Sequence, residues 1–228
     1  MSTNLLIGIP SHRGWIRSEL ATSLLHAQVA LAAQGIRVHV SFQQGAVVQV
    51  ARNRLVMLAR SGPVTHLLMC DDDQAFPPEA VLRLLSWQED FVSAAVPCRH
   101  DRRFVIVGPK PVPGRAPLLE VEMAGTGFIL LSRQCLELMV QAYGAHPFAA
   151  MTPGLGQDGC MDPDAAVGED IAFSCRWTGM GGRIFCDPTV PVAHFGMSCV
   201  AATMAEALKA GPVQLMDGSM VSGETLAG

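Results

Sequence analysis

Thr65-His66-Leu67-Leu68-Met69-Cys70-Asp71-Asp72-Asp73-Gln74-Ala75-Phe76-Pro77-Pro78 is the stretch on which the fold turns. A continuous apolar run, residues 67–70, reads as a strand buried on both faces, the habit of parallel sheets. Three carboxylates follow at its carboxyl end. The Pro-Pro pair opens a helix over Glu79 to Trp87, since proline is tolerated in a first helical turn. A strand that delivers acids to its carboxyl end, followed at once by a helix, is the local form of an open α/β sheet, where ligands bind outside the strand ends.

Working outward, the flanks alternate in the same way. Leu5 to Pro10 is an apolar run closed by Pro-Ser, and Ser18 to Gln34 carries Leu20, Leu24, Ala27 and Leu31 at helical spacing before Gly35. Ile36, Val38, Val40 and Phe42 alternate at period two, the mark of a strand. Val47 to Arg60 is helical and ends at Ser61-Gly62-Pro63, and Phe91 to Val96 is a further strand. This β-α-β-α-β-α-β order predicts a single mostly parallel twisted sheet with helices on both faces, Rossmann-like in its layering. Beyond residue 97 the pattern loosens. Cys98 to Pro117 is proline-rich and reads as an excursion or small hairpin. Leu118 to Met123 and Gly127 to Leu131 read as strands, and Ser132 caps a helix to Tyr143. Ala145 to Val167 reads as a long loop, of the kind that serves as a lid. Gly168 to Thr178 is helical, Arg183 to Cys186 and Val190 to His194 are strands, and residues 211–228 are expected to form a flexible tail.

With 228 residues, half of them hydrophobic, the chain has ample material for one core. The mean hydropathy is +0.30, yet no segment reaches the ~18 apolar residues of a bilayer span. The first residues lack a basic leader pattern, so a soluble, cytoplasmic protein without a transmembrane segment is expected. The formal net charge of −4, without blocks of like charge, argues against duplex nucleic acid as a partner. Seven cysteines form no CxxC pair and read as reduced, mostly buried thiols.

Asp71, Asp72 and Asp73 repel one another unless a cation compensates. Hard carboxylate oxygens suit Mg²⁺ or Mn²⁺, and Mg²⁺ is commonly held by one or two carboxylates together with substrate phosphates. An acidic strand-to-helix loop with an aspartate near the helix start is the plainer alternative.

The segment from Cys70 to Pro78 resembles the DxD region of GT-A glycosyltransferases, especially the family-2-like and short bacterial or phage forms. Five other segments fall in the order this resemblance requires: Ile7 to Ser11, Ala51-Arg52-Asn53, Gly125 to Phe128, Gly168-Glu169-Asp170 and Val192 to Gly196. Together they span about residues 4 to 200. The resemblance implies a metal-dependent transfer of sugar from a UDP- or GDP-sugar donor to a hydroxyl acceptor that the sequence does not name. It divides a domain over residues 1–210 into a donor half, 1–97, and an acceptor half, 98–210.

It further implies that Pro10, Ser11, Arg52, Asn53, Asp71, Asp72, Gly125, Thr126 and Gly127 bind the nucleotide sugar. Asp71, Asp73 and His194 would hold Mn²⁺ or Mg²⁺. Asp170 would be the general base of an inverting transfer, with Glu169 orienting the acceptor; retention stays open. Each residue also has an ordinary reading. Glu169 and Asp170 suit a helix dipole, His194 a hydrogen-bonded core position, Arg52 a surface helix, and the glycines a turn. Two other functions fit a similar sheet: a sugar-phosphate nucleotidyltransferase, or a non-catalytic nucleotide-sugar-binding or virion-associated module. The first would need a Gly-rich basic loop after the first strand, where Ser11-His12-Arg13-Gly14-Trp15 is thin.

Overall fold

The computed structural model describes residues 3–12, 14–44, 47–98, 103–151, 167–196, 199–201 and 203–223. The first half runs β1 (Asn4–Ser11), α1 (Ser18–Ala33), β2 (Arg37–Gln44), α2 (Val48–Ser61), β3 (His66–Cys70), β4 (Gln74–Ala75), α3 (Pro78–Ser86) and β5 (Phe91–Ala94). Then come β6 (Ile106–Val107), β7 (Lys110–Pro111), β8 (Leu119–Val121), β9 (Met123–Ala124), β10 (Phe128–Ser132), α4 (Arg133–Tyr143) and α5 (Glu169–Gly179). The chain continues through β11 (Ile184–Asp187), β12 (Ala193–Phe195), β13 (Cys199–Ala201), α6 (Met204–Ala210), β14 (Val213–Gln214) and β15 (Met220–Val221).

The apolar runs meet in an eight-stranded sheet of order β2-β1-β3-β10-β5-β11-β8-β7. Strands β2, β1, β3, β5, β11 and β7 run one way, and β10 and β8 the other. The α/β class and the mostly parallel sheet are therefore as the alternation predicts. Helices cover both faces because alternate strand residues point to opposite sides. Leu5, Ile7, Leu68 and Leu130 pack under α1 and α3 through Leu20, Leu24, Leu31, Val81 and Leu84. Leu6, Leu67, Met69, Ile129 and Leu131 pack with Leu55, Leu136, Phe173, Trp177 and Leu208 of α2, α4, α5 and α6.

Three features depart from the expectations. Strand β10 lies antiparallel between β3 and β5, so a strand from the second half completes the first half's sheet. Residues 190–194 do not join that sheet: β12 sits in a separate three-stranded sheet, β13-β12-β4, with His194 opposite Gln74. The expected tail is a hairpin over its described part. β14 pairs with β15, the Gln214 carbonyl accepts from the Phe104 amide at 3.4 Å, and Val213, Leu215 and Val221 join the core. Those three apolar side chains explain the departure; burying them removes apolar surface from water, which a mobile tail forgoes.

The long loop lies mostly outside the described residues. On either side of residues 152–166, Met151 and Val167 exchange hydrogen bonds at 3.1 and 2.9 Å. Among the described residues, no helix is long and apolar enough to cross a membrane.

Candidate functional site

A cavity of about 370 Å³ opens at the carboxyl ends of β1 and β3. Its wall gathers residues far apart in sequence: Pro10, Ser11, Arg52, Asp71, Asp72, Asp73, Gly125, Thr126, Gly127, Glu169, Asp170 and His194. His12 and Gln74 line it as well. Neither stands out in the sequence, where the setting of His12 is no more suggestive than that of most other histidines. Adjacency to a suspect segment, Ser11 in one case and Asp73 in the other, is the signal that could have found them.

The acids stand where β3 ends, and β12 brings the histidine to them. Phe195 N–H donates to the Asp73 carbonyl at 2.8 Å, which fixes His194 beside the Asp73 side chain. His194 is 8% exposed. Its Nδ1 lies 2.7 Å from the Pro97 carbonyl, which accepts and so must receive a proton from that nitrogen. In the neutral ring Nε2 is then the lone-pair nitrogen, and it lies 3.3 Å from Asp73 Oδ1. An imidazole held by a backbone carbonyl with its other nitrogen turned to a carboxylate is oriented as metal-binding histidines commonly are.

Arg52 does not project toward a ligand as a lone cation. It is 4% exposed, and its Nη2 donates to Asp71 Oδ1 at 2.8 Å and its Nη1 to Glu169 Oε1 at 2.5 Å. Burial alone would lower its pKa, but the Asp71, Glu169 and Asp170 carboxylates outweigh that and hold it above the ordinary value. This pairing engages one oxygen each of Asp71 and Glu169. Asp170, at the start of α5, accepts from the Ile171 amide at 2.7 Å. Under the acids, burial first and then Asp71, Asp73 and Asp72 push the Cys70 thiol well above its ordinary range. Cys70 is accordingly a neutral buried hydrophobe.

Two sets of sequence candidates have partners within the protein. Asn53 is 7% exposed and lies outside the cavity; its Oδ1 accepts from the Phe148 amide at 2.8 Å, tying the chain after α4 to α2. Its carboxamide is needed because a buried amide N–H without an acceptor is costly. The glycines serve the protein's own packing. A Cβ on Gly127 would stand 2.5 Å from Gln74 Nε2 and 2.9 Å from Asp71 Oδ2, and one on Gly125 would stand 2.7 Å from Val105 Cγ1. The space their missing side chains leave is filled by these neighbours.

Among the described residues, no group of three or more His, Cys, Asp or Glu side chains is arranged to hold a metal ion unaided. Asp73 and His194 would offer a divalent ion one carboxylate and one imidazole, leaving the rest of its shell to waters or other groups. Such a pair fits a divalent ion only if further ligands come from outside the protein.

No family model matches the chain, and no curated protein matches it in sequence. Solved structures do resemble it. A197 from STIV overlays with a TM-score of 0.53 at 17% identity, over 90% of this chain and 91% of that one. The mannose-1-phosphate geranyltransferase from Thermus thermophilus gives 0.44 at 14% identity, over 64% and 62%. Apo UDP-glucose pyrophosphorylase gives 0.46 at 9% identity, over 89% and 92%. The chain shares the overall fold of A197. At such identities the likeness is one of chain path, and function has to be argued from the site.

Proposed function

We propose that this protein is a divalent-metal-dependent transferase that moves a sugar from a nucleotide-sugar donor to a hydroxyl acceptor, with inversion. The observation that carries the reading is His194, oriented by Pro97 and aimed at Asp73 inside a strongly acidic cavity. Five carboxylates line that cavity (Asp71, Asp72, Asp73, Glu169 and Asp170) against one guanidinium, a formal −4. A diphosphate would be repelled from such a wall without a cation beside it.

Asp73 and His194 would hold Mn²⁺ or Mg²⁺, with Asp71 kept beside them by Arg52. When bound, the ion supplies Lewis-acid charge that offsets the negative charge developing on the departing diphosphate. Pro10, Ser11 and Asp72 lie on the wall where the nucleoside would rest, Asp72 as acceptor for a ribose hydroxyl. Arg52 holds Asp71 and Glu169 in place, so it positions the site instead of touching the donor. Of the two acids at α5, Glu169 is bound by that guanidinium, which makes Asp170 the better proton acceptor from the incoming hydroxyl.

The test is a thermal-shift series with UDP-, GDP- and CDP-sugars, with and without MnCl2. A ligand that binds only the folded state raises the melting temperature by mass action. One donor is expected to stabilise the protein only in the presence of Mn²⁺, and Asp73→Ala to abolish the effect. Direct titration of Mn²⁺ by paramagnetic resonance gives a second readout. An Asp73→Ala protein that responds like the wild type refutes the metal assignment.

A further inference from the structure

Two neutral side chains on the cavity wall carry polar ends with no hydrogen-bond partner among the described residues. Gln74 is 0% exposed and Thr126 is 1% exposed, and neither Gln74 Nε2 nor Thr126 Oγ1 makes a hydrogen bond to them. Leaving a buried donor unsatisfied is destabilising, so natural folds seldom keep one without a use for it. Here two occur together. Gln74 is fixed in β4 opposite His194, and Thr126 stands between Gly125 and Gly127; the missing Cβ of Gly127 leaves room for the Gln74 amide.

The rest of the wall is acidic, and ionised carboxylates only accept hydrogen bonds. Gln74 Nε2 only donates, and the Thr126 hydroxyl does either. A ligand matching both kinds of group must donate and accept from neighbouring atoms. A phosphate oxygen does not, since it only accepts and cannot bond an ionised carboxylate directly. A sugar hydroxyl does both: it can donate to a carboxylate and accept from the Gln74 amide or the Thr126 hydroxyl.

We infer that Gln74 and Thr126 form the pair that recognises hydroxyl groups of the transferred sugar, as distinct from the nucleoside diphosphate. The inference rests on the nucleotide-sugar reading and names which part of the donor these residues select. Both polar ends are themselves covered, so the ligand reaches them through a side-chain rotation. The side-chain hydrogen bond such a rotation of Gln74 would break is the weak one from the Cys70 thiol to Gln74 Oε1 at 3.9 Å.

The experiment uses the near-isosteric variants Gln74→Met and Thr126→Val in the full-length protein. Each removes an unsatisfied donor while keeping volume, so the free variants are expected to melt at or above the wild-type temperature. Dissociation constants are then measured by calorimetry, with MnCl2, for UDP-glucose and GDP-mannose against UDP and GDP. The wild type is expected to bind one nucleotide sugar more tightly than its diphosphate. Each variant should lose that increment, at least about tenfold in affinity, and keep diphosphate binding. Variants that retain the full sugar increment overturn the inference and leave the nucleotide-sugar reading standing. Variants whose free form melts several degrees lower, with the increment intact, assign the pair a structural role and overturn it as well. A wild type that binds none of the four compounds overturns the nucleotide-sugar reading itself, and this inference with it.

Discussion

Asp170 and Glu169 are neighbours in sequence with different partners, since Arg52 reaches only Glu169 with a hydrogen bond, at 2.5 Å, and the proposed transfer makes Asp170 the base. Asp170→Asn is therefore expected to keep donor binding and to lower transfer by about two to four orders of magnitude, the range for a positioned base. Donor hydrolysis followed by mass spectrometry gives a first readout, and near-normal turnover would return Asp170 to a helix-end role. A second residue-scale expectation concerns His66. Its burial lowers its pKa, against a smaller opposing pull from Asp90. The unfolded chain then binds a proton at His66 more readily than the folded one. Stability is full above the ordinary histidine value of about 6.5 and declines as pH falls from there through the folded value. Urea unfolding at pH 5 and 7.5 measures this, and the pH difference should shrink in His66→Phe.

At the scale of elements, the site depends on how helix ends and short strands are tied. Arg133, the first residue of α4, donates from Nη1 to the carbonyls of Ala59 and Gly62 at 3.1 and 2.9 Å, and from Nη2 to that of Arg60 at 3.0 Å. A cation on the last carbonyls of α2 satisfies groups that the helix leaves unbonded and complements its dipole. Arg52 lies on this same helix, so the tie also steadies the ion pairs in the cavity. Arg133→Ala should cost about 1–3 kcal/mol, the usual effect of leaving buried acceptors unmatched. Chemical denaturation checks this, and a cost below about 0.5 kcal/mol would place the interaction among ordinary surface contacts. Asp187, at the end of β11, plays a similar part. It is fully buried and accepts from Arg83 at 2.6 Å, Trp87 at 2.8 Å and Thr189, which anchors α3 to the sheet.

For the molecule as a whole, donor and acceptor halves are not separable bodies, since β10 of the second half pairs on both sides with strands of the first. The C-terminal hairpin is likewise part of the core, through Val213, Leu215 and Val221. A chain ending at residue 210 should accordingly unfold at a lower temperature or aggregate. Scanning calorimetry and size-exclusion chromatography would detect either change. An unchanged melting temperature would mean that residues 211–228 do behave as the dispensable tail their polar composition suggests.

Whatever depends on near neighbours along the chain is legible without the fold. Apolar runs, period-two alternation and helical spacing locate the strands and helices of residues 4–94 apart from the short β4, and Ser132 is identifiable as a cap that accepts from Cys135 N–H. An apolar run ending in Asp71-Asp72-Asp73 is enough to point to the carboxyl end of a strand as a site. Hydrophobic periodicity reports which face of an element is buried, but not which strand lies beside it. The place of β10 between β3 and β5, and of β12 beside β4, is therefore decided only by tertiary packing. The ion pairs of Arg52 join residues 19 and 117 positions away, a distance over which local pattern carries no signal. The inward turn of Asn53 to Phe148 and the crowding at Gly127 belong to the same class. Both depend on side chains brought together when the sheet closes, and the same residues in an open chain have no such neighbours.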